Sequence, residues 1–314
     1  MAGARFDVVA LGEPLLEFNQ VRRDDATGYR QGFGGDTSNC TIAAARLGAS
    51  TAYVTRLGDD AFGRMFIDLW RSEGVDVSGV GIDTDAPTGI YFVTHGARGH
   101  EFSYLRAGSA AARMRPGDLP LDLIRSTNVL HVSGISQAIS ASACDTVFAA
   151  IAAARGAGAR ISYDSNLRLK LWPLERARAV IAATIALSDW FLPSLDEAIQ
   201  ISGVSEPQAI LDWCHVRGAP MVALKMGADG CWVSTAAARE YVAGNRVDAI
   251  DATGAGDCFD GAFVARIVAG DAPIAAARYA NAAAAMATTG YGAVAPLPRH
   301  ADVSAFLAKT AGAP

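Results

Sequence analysis

The chain has little of what marks a nucleic-acid binder, a disulfide scaffold or a membrane span. Its 27 lysines and arginines are outnumbered by 32 acidic residues, for a net charge of −5 and a pI near 5.5, and no Lys/Arg cluster interrupts that balance. A nucleic-acid partner is therefore not expected. Five cysteines (Cys40, Cys144, Cys214, Cys231 and Cys258) are scattered without a C-x-x-C pair. That is the pattern of reduced thiols in a cytoplasmic protein, not of a zinc site or a disulfide frame. None of the five histidines falls in a metal-ligand spacing or beside a nucleophile, which weakens zinc and hydrolase readings. The longest apolar tract, ARYANAAAAMATTGYGAV, is alanine-rich and broken by Arg278 and Asn281, so it reads as a buried helix and no membrane association is expected. The N-terminus runs straight into a strand-like segment, so no signal peptide is expected. G-x-x-x-x-G-K-[ST] does not occur, nor does G-x-G-x-x-G after the first strand, and the commonest sequence routes to a nucleotide are unsupported.

What is present is an ordinary globular balance, 51% hydrophobic and 19% charged over 314 residues. Apolar runs such as FDVVALG, STAYVTRLG, NVLHVSG, ARISYDSN, DWFLPS, PMVALKMG and GCWVST alternate with helical stretches such as TSNCTIAAARLG, DAFGRMFIDLWRSEG, SACDTVFAAIAAARGAG and LERARAVIAATIALS. That rhythm predicts an α/β domain built on a mostly parallel sheet covered on both faces. It breaks once, between Thr88 and Arg106, where two extended runs flank a glycine-rich turn with no helix between them. A β-hairpin is expected there, with Tyr91 and Val93 on one face of one strand, and Phe102 and Tyr104 on one face of its partner. His95 and His100 fall in this hairpin, and His131 reads as a satisfied strand histidine. With no linker or repeat, residues 1–314 are expected to form a single domain whose small β excursion comprises 88–106 plus segments near 13–35.

The stretch DATGAGDCFDGAF carries the most specific signal. Gly254, Ala255 and Gly256 stand where a helical pattern (Cys258, Phe259, Ala262, Phe263, Ile267) begins. A helix start offers unpaired N–H groups and the positive end of the peptide dipole, which bind anions. Asp257 would repel a phosphate there unless its task is to take a proton. Three weaker signals accompany it. GFGGDTSN places Gly34, Gly35 and Asn39 at the mouth of a helix, read either as a turn or as backbone against which a polyol lies. ALKMGADG ends a strand with Lys225 and turns at Gly227 and Gly230, at the sheet edge where open α/β sheets place ligands. LPSLDEA spaces Ser194 and Glu197 as a capping box, with metal-water binding by Glu197 as the alternative.

Together, GGDTSN, RLGDDAFG and DATGAGDCFDGAF resemble the ribokinase-like (PfkB) family of carbohydrate kinases, from about Phe6 to about Phe306. The resemblance implies a ribokinase-like three-layer α/β/α fold with a small β-sheet lid, ATP as phosphoryl donor and Mg²⁺. It implies that Asp257 is the general base toward a substrate hydroxyl and that the Gly254, Ala255 and Gly256 N–H groups form the anion hole. It places Ser165, Asn166 and Arg168 near the nucleotide phosphates and Lys225 to Gly230, with Ser194, along the nucleotide pocket. Asn281 would approach adenine, Glu197 would hold Mg²⁺ through water, and Asp251 and Thr253 match a K⁺ site in some relatives. The segments GEPLLEF, GIYF, YLRAGSAA and DSNLRLKLW resemble the 2-keto-3-deoxygluconate kinases within the family. That implies a sugar-acid substrate held by Gly34, Gly35, Asn39, Tyr91, Tyr104, Arg106 and Arg168. Arginine suits a carboxylate because its planar fork of donors matches it. The other readings are a fructokinase or ribokinase acting on a neutral sugar, and a sugar-sensing protein without catalysis. Exposed apolar residues on the lid make a homo-oligomer, a dimer or higher, the expected assembly.

Overall fold

The computed structural model describes residues 5–23, 26–96 and 99–311. In chain order its strands are β1 (Phe6–Leu11), β2 (Leu15–Arg23), β3 (Ala26–Gly34), β4 (Thr51–Gly58), β5 (Val80–Asp83), β6 (Ile90–Gly96), β7 (Gly99–Leu105), β8 (Thr127–Ser133), β9 (Arg160–Asp164), β10 (Trp190–Phe191), β11 (Met221–Lys225), β12 (Gly230–Thr235) and β13 (Arg239–Ala243). One nine-stranded sheet has the order β13-β12-β11-β10-β9-β8-β1-β4-β5, and a separate four-stranded sheet has the order β3-β2-β6-β7. In the large sheet the β11–β12 and β12–β13 pairings are antiparallel, and the other pairings are parallel.

Parallel strands need cover on both faces, and β1 shows how the sequence provides it. Val8 and Ala10 enter one core with Ile42, Phe66, Trp70 and Phe263. Val9 and Leu11 enter the other with Val147, Ile151, Ile181 and Ile210. Successive side chains point to opposite faces, so a strand buried on both reads as an unbroken apolar run. The chain leaves β1 for β4 on one side and later adds β8 on the other. The crevice at the carboxyl ends beside such a reversal is where open α/β sheets bind ligands.

The helices Asp36–Arg46 and Ala255–Val268 cross closely on one face of this sheet. A Cβ on Gly261 would lie 2.4 Å from the Cys40 carbonyl oxygen and 2.8 Å from the Ala43 Cβ, so glycine there sets the approach. That approach brings Asn39, in the first turn of one helix, to Asp257 in the first turn of the other.

The small sheet contains the hairpin expected over 88–106, as β6 and β7, joined to β2 and β3. Tyr91 pairs with Tyr104 and Val93 with Phe102, so the register sets all four on one face. Tyr91 and Val93 are buried with Leu15, whereas Phe102, Tyr104 and Leu105 are exposed.

Gly261→Ala tests the helix crossing. Overpacking of this kind costs about 1–3 kcal/mol, so the urea midpoint should fall with the slope unchanged. A wild-type midpoint would show that the two helices can separate without cost.

Candidate active site

The helix bearing Asp257 begins as its sequence predicts, capped by Gly254 in the left-handed region (φ 77°). A Cβ on Gly254 would lie 3.0 Å from Ala293, so this glycine is required by the fold. Gly256 differs. Its φ is ordinary, and an added Cβ would meet only the Lys225 ammonium nitrogen at 3.8 Å. Internal packing does not demand glycine at 256, which leaves the space outside the turn open to a ligand. The expected three-donor set is corrected at its centre. The Ala255 N–H donates to the Ala252 carbonyl at 3.1 Å, leaving Gly254 and Gly256 as the donors of that set.

Asp257 accepts a 2.8 Å hydrogen bond from Asn39 Nδ2. Asn39 is 3% exposed, and its Oδ1 is buried with no partner among the described residues. An unsatisfied acceptor in that position invites a hydroxyl donor. Burial, with the Asp36 and Asp164 carboxylates nearby, pushes the Asp257 carboxyl up to about 7, against the pull of Asn39 and Lys225. A group poised near neutrality is suited to accept a proton. Asp36 is itself raised by burial and accepts from Asn166 Nδ2 at 2.9 Å and from the Thr37 N–H at 2.8 Å. Asn166 adopts a positive φ of 28°, one that asparagine tolerates better than most residues.

On the small-sheet side of the cleft the expected glycine roles shift. A Cβ on Gly34 would sit 2.8 Å from the Tyr91 hydroxyl, and one on Gly35 (φ 106°) would sit 2.5 Å from the Glu13 carbonyl oxygen. Both glycines answer to the chain's own packing, the bland turn reading. Tyr91 donates to the buried Glu17 and stacks on Tyr104, with ring centroids 5.8 Å apart. Arg106 is not a free cation. Its guanidinium pairs with the buried Glu13, which also accepts from Ser109 Oγ at 2.6 Å and is raised by burial against the arginine's field. The Arg106 Nε is buried with no partner among the described residues, and the guanidinium carbon lies 5.6 Å from the centre of the Tyr104 ring.

On the opposite side, the Ser194–Glu197 capping box does not form. Ser194 is the N-cap of Leu195–Ser202 but makes no side-chain cap. Glu197 is drawn away, accepting from Ser165 Oγ at 2.8 Å and pairing with Arg168 at 3.2 Å. Arg168 is half exposed, and its charge is felt by Asp36, Asp257 and Asp164 as well as Glu197. The Lys225 side chain is buried. Its Nζ donates to the two Asp260 oxygens at 2.9 and 3.0 Å and lies 3.4 Å from Asp164. Those anions raise the lysine's pKa although burial opposes them. Gly227 (φ 60°) and Gly230 (φ 110°) make the turn into β12, where a Cβ on Gly230 would strike the Val242 carbonyl at 2.1 Å. Asn281 Nδ2 donates to the Val242 and Ala243 carbonyls at 3.1 and 3.2 Å, so that end of it anchors β13. The Asp251 carboxylate accepts from the Thr253 N–H, the Thr253 hydroxyl and the Gly292 N–H at 2.9, 2.6 and 2.9 Å. His131 is a satisfied strand residue, 3.0 Å from Ser162 Oγ, with its pKa pushed down to about 4 mainly by burial.

Sequence reasoning passed over Glu13, Glu17, Asp36, Asp164 and Asp260, all of them buried. Only Asp260 left a signal, as a charge inside the apolar run CFDGAF.

A model of the pfkB family carbohydrate kinases matches residues 6–300. The chain belongs to that family. It is 35% identical to a probable fructokinase-4 of Arabidopsis thaliana, over 97% of this chain and 98% of the relative. It is 34% identical to a 2-dehydro-3-deoxygluconokinase of Thermoproteus tenax, over 96% and 94%. Among solved structures, a fructokinase from Vibrio cholerae O395 with fructose, ADP and calcium bound superposes with a TM-score of 0.86 at 29% identity, covering 96% of this chain and 99% of that one. The fold is thus the ribokinase-like α/β type, with one large mostly parallel sheet and a smaller separate one.

Holding the buried Asp257 carboxyl at about 7 carries a stability cost with a definite pH sign. The Asp257 pKa is above its ordinary 3.8, so the folded state favours the protonated form. The penalty is absent below about pH 4 and complete above about pH 7. Asp257→Asn should raise Tm by roughly 2–4 °C at pH 8 and leave it near wild type at pH 4–5. Equal or lower Tm in the variant at pH 8 would contradict the crowding of carboxylates around this residue.

Proposed function

We propose that this kinase transfers the γ-phosphoryl group of ATP to the terminal hydroxyl of 2-keto-3-deoxygluconate, giving 2-keto-3-deoxy-6-phosphogluconate. The observation that carries the phosphoryl-transfer reading is the pairing of Asp257 with the Gly254–Gly256 turn beside the buried, unpartnered Asn39 Oδ1. Asp257 takes the hydroxyl proton, held in place by Asn39 Nδ2, while Asn39 Oδ1 accepts from a sugar hydroxyl. The Gly254 and Gly256 N–H groups face the charge that develops on the transferring group. Phosphoryl transfer asks mainly for positioning and charge stabilisation, which such an arrangement supplies. An intact base and turn speak against a non-catalytic sensor.

Among the described residues no three His, Cys, Asp or Glu side chains form a metal cluster. Mg²⁺ keeps several waters and binds through one or two carboxylates plus substrate phosphates. Glu197 would hold it through water, and the ion would offset charge on the nucleotide phosphates. Ser165, Asn166, Arg168, Ser194 and the Lys225–Gly230 turn would border that nucleotide. K⁺ at Asp251 and Thr253 is not required by this reading, because protein donors already satisfy the carboxylate.

Sugar-acid specificity rests on two cations at the cleft. Arg168 is half exposed beside the base, and Arg106 keeps a buried, unpartnered Nε. A carboxylate that displaced or shared Glu13 would meet this donor, with Tyr91 and Tyr104 packing against the sugar. The neutral-sugar reading also has an observation behind it: Glu13 already neutralises Arg106. Self-association through the small sheet, where Tyr29, Phe102, Tyr104 and Leu105 are exposed, is part of the proposal.

The deciding measurement is kcat/KM for 2-keto-3-deoxygluconate against fructose and ribose, in wild type and Arg106→Ala. The wild type should prefer the acid. Losing a charged hydrogen bond should then weaken use of the acid by roughly 10- to 150-fold, and use of fructose far less. Wild-type preference for a neutral sugar, or equal loss on both classes, would sink the sugar-acid assignment and leave the kinase. Asp257→Asn should lower kcat by about 10²–10⁴-fold while remaining folded, and near-native turnover would remove it as the base.

A further inference from the structure

We infer that Lys225 is a positioning residue for phosphoryl transfer: its buried ammonium, held between Asp164 and Asp260, keeps a fixed positive charge beneath the Gly254–Gly256 turn. The inference rests on the phosphoryl-transfer reading of the site and is independent of which sugar is used.

Lys225 ends β11, and its Nζ bridges Asp260 on the Ala255–Val268 helix to Asp164 at the end of β9. Asp260 follows Asp257 by three residues, so both carboxylates lie on one side of that helix. One is engaged by Asn39 and the other by the ammonium. Among the described residues, and apart from the helix's own backbone and the neighbouring residues, the same ammonium is the only group within 4 Å of a Cβ built on Gly256, which places it beside a proposed anion-hole residue. Asp260 is 1% exposed and Lys225 9%. A buried ion pair is a poor device for stability, since apolar replacements are often neutral or better. Stability alone is therefore a weak account of this lysine. The surroundings suggest a stronger one. A nucleotide phosphate entering this cleft passes Asp36, Asp164, Glu197 and Asp257. Arg168, on the cleft side, is already shared with Glu197. The cation below the turn offsets that negative field without occupying the ligand's space.

The test separates a structural pair from a working cation. Lys225→Met/Asp260→Leu removes both charges and keeps the volume apolar, whereas Asp260→Asn keeps the ammonium, still held by Asp164. If the cation matters, the double variant loses about 10-fold or more in kcat, with KM for the sugar within about threefold. Asp260→Asn then stays within about threefold in kcat, whatever its Tm. If the pair is only structural, the pattern reverses: Asp260→Asn suffers, and the double variant works normally. A folded double variant with kcat within threefold of wild type overturns the inference, as does an Asp260→Asn loss equal to that of the double variant.

A second readout needs neither nucleotide nor turnover, and it decides the matter if the double variant fails to fold. Among the described residues, the groups that share a field with Asp257 include Asp36 and Cys40 on one helix, Asp164, Arg168, Lys225, the Tyr91 phenol and Cys258, with Asp260 one turn further along its own helix. The ammonium pulls the Asp257 carboxyl down, so Lys225→Gln should raise the Asp257 titration midpoint by about half a unit or more, read by carboxyl-carbon NMR. An unchanged midpoint overturns the inference. A wild type inactive on every sugar tested would instead count against the proposed function, and the titration would still report on Lys225.

Discussion

Burying several like charges at one edge of a sheet is the constraint around which this site is organised. Asp36, Asp164, Asp257 and Asp260 converge at the carboxyl end of the central strands, and each is supplied with donors. Asn166 serves Asp36 through its side chain and Asp164 through its backbone, Asn39 serves Asp257, and Lys225 serves Asp260 and approaches Asp164. Neutral amides do much of the work. Burial outweighs these donors at Asp257, which stands near 7, and at Asp260, which is raised well above its ordinary value despite the lysine. The Asp257 carboxyl is thus tuned by its surroundings more than by its own position on the helix.

The same economy explains the glycines. Those at 34, 35, 254 and 261 are demanded by contacts within the chain, whereas a Cβ at 256 would meet nothing closer than the Lys225 ammonium at 3.8 Å. Arg106 and Glu13 show a comparable distinction. A cation that resemblance assigns to a ligand is satisfied within the chain by a buried carboxylate. Under the sugar-acid proposal, substrate choice would turn on whether an incoming carboxylate is worth more to Arg106 than Glu13 is, a difference of affinities instead of a simple complement of charge.

The small sheet completes the cleft from one side. Its strands come from two stretches of the chain, β2–β3 and β6–β7, which meet through the parallel β2–β6 pairing. The hairpin at 88–106 is legible because two extended runs flank a glycine-rich turn. The partner segment is expected near 13–35, but its register with β6 is not legible, since the two stretches are separated by two helices and two strands of the large sheet.

By itself the sequence determined the layered α/β fold and the start of the Asp257 helix. Each follows from periodicity or turn chemistry within a dozen residues, where backbone geometry leaves few choices. Partnerships were decided only by the tertiary structure. Asn39 meets Asp257 across 218 positions, and Lys225 meets Asp260 across 35. Ser194 and Glu197 had the spacing of a capping box, yet Ser165 and Arg168 draw the glutamate away. Arg106 had the chemistry of a carboxylate receptor, yet Glu13 already occupies it. A side chain's spacing limits what it can reach along its own helix or strand. Which charge it faces depends on how closely separate elements pack, and here that distance is set by a glycine at a helix crossing.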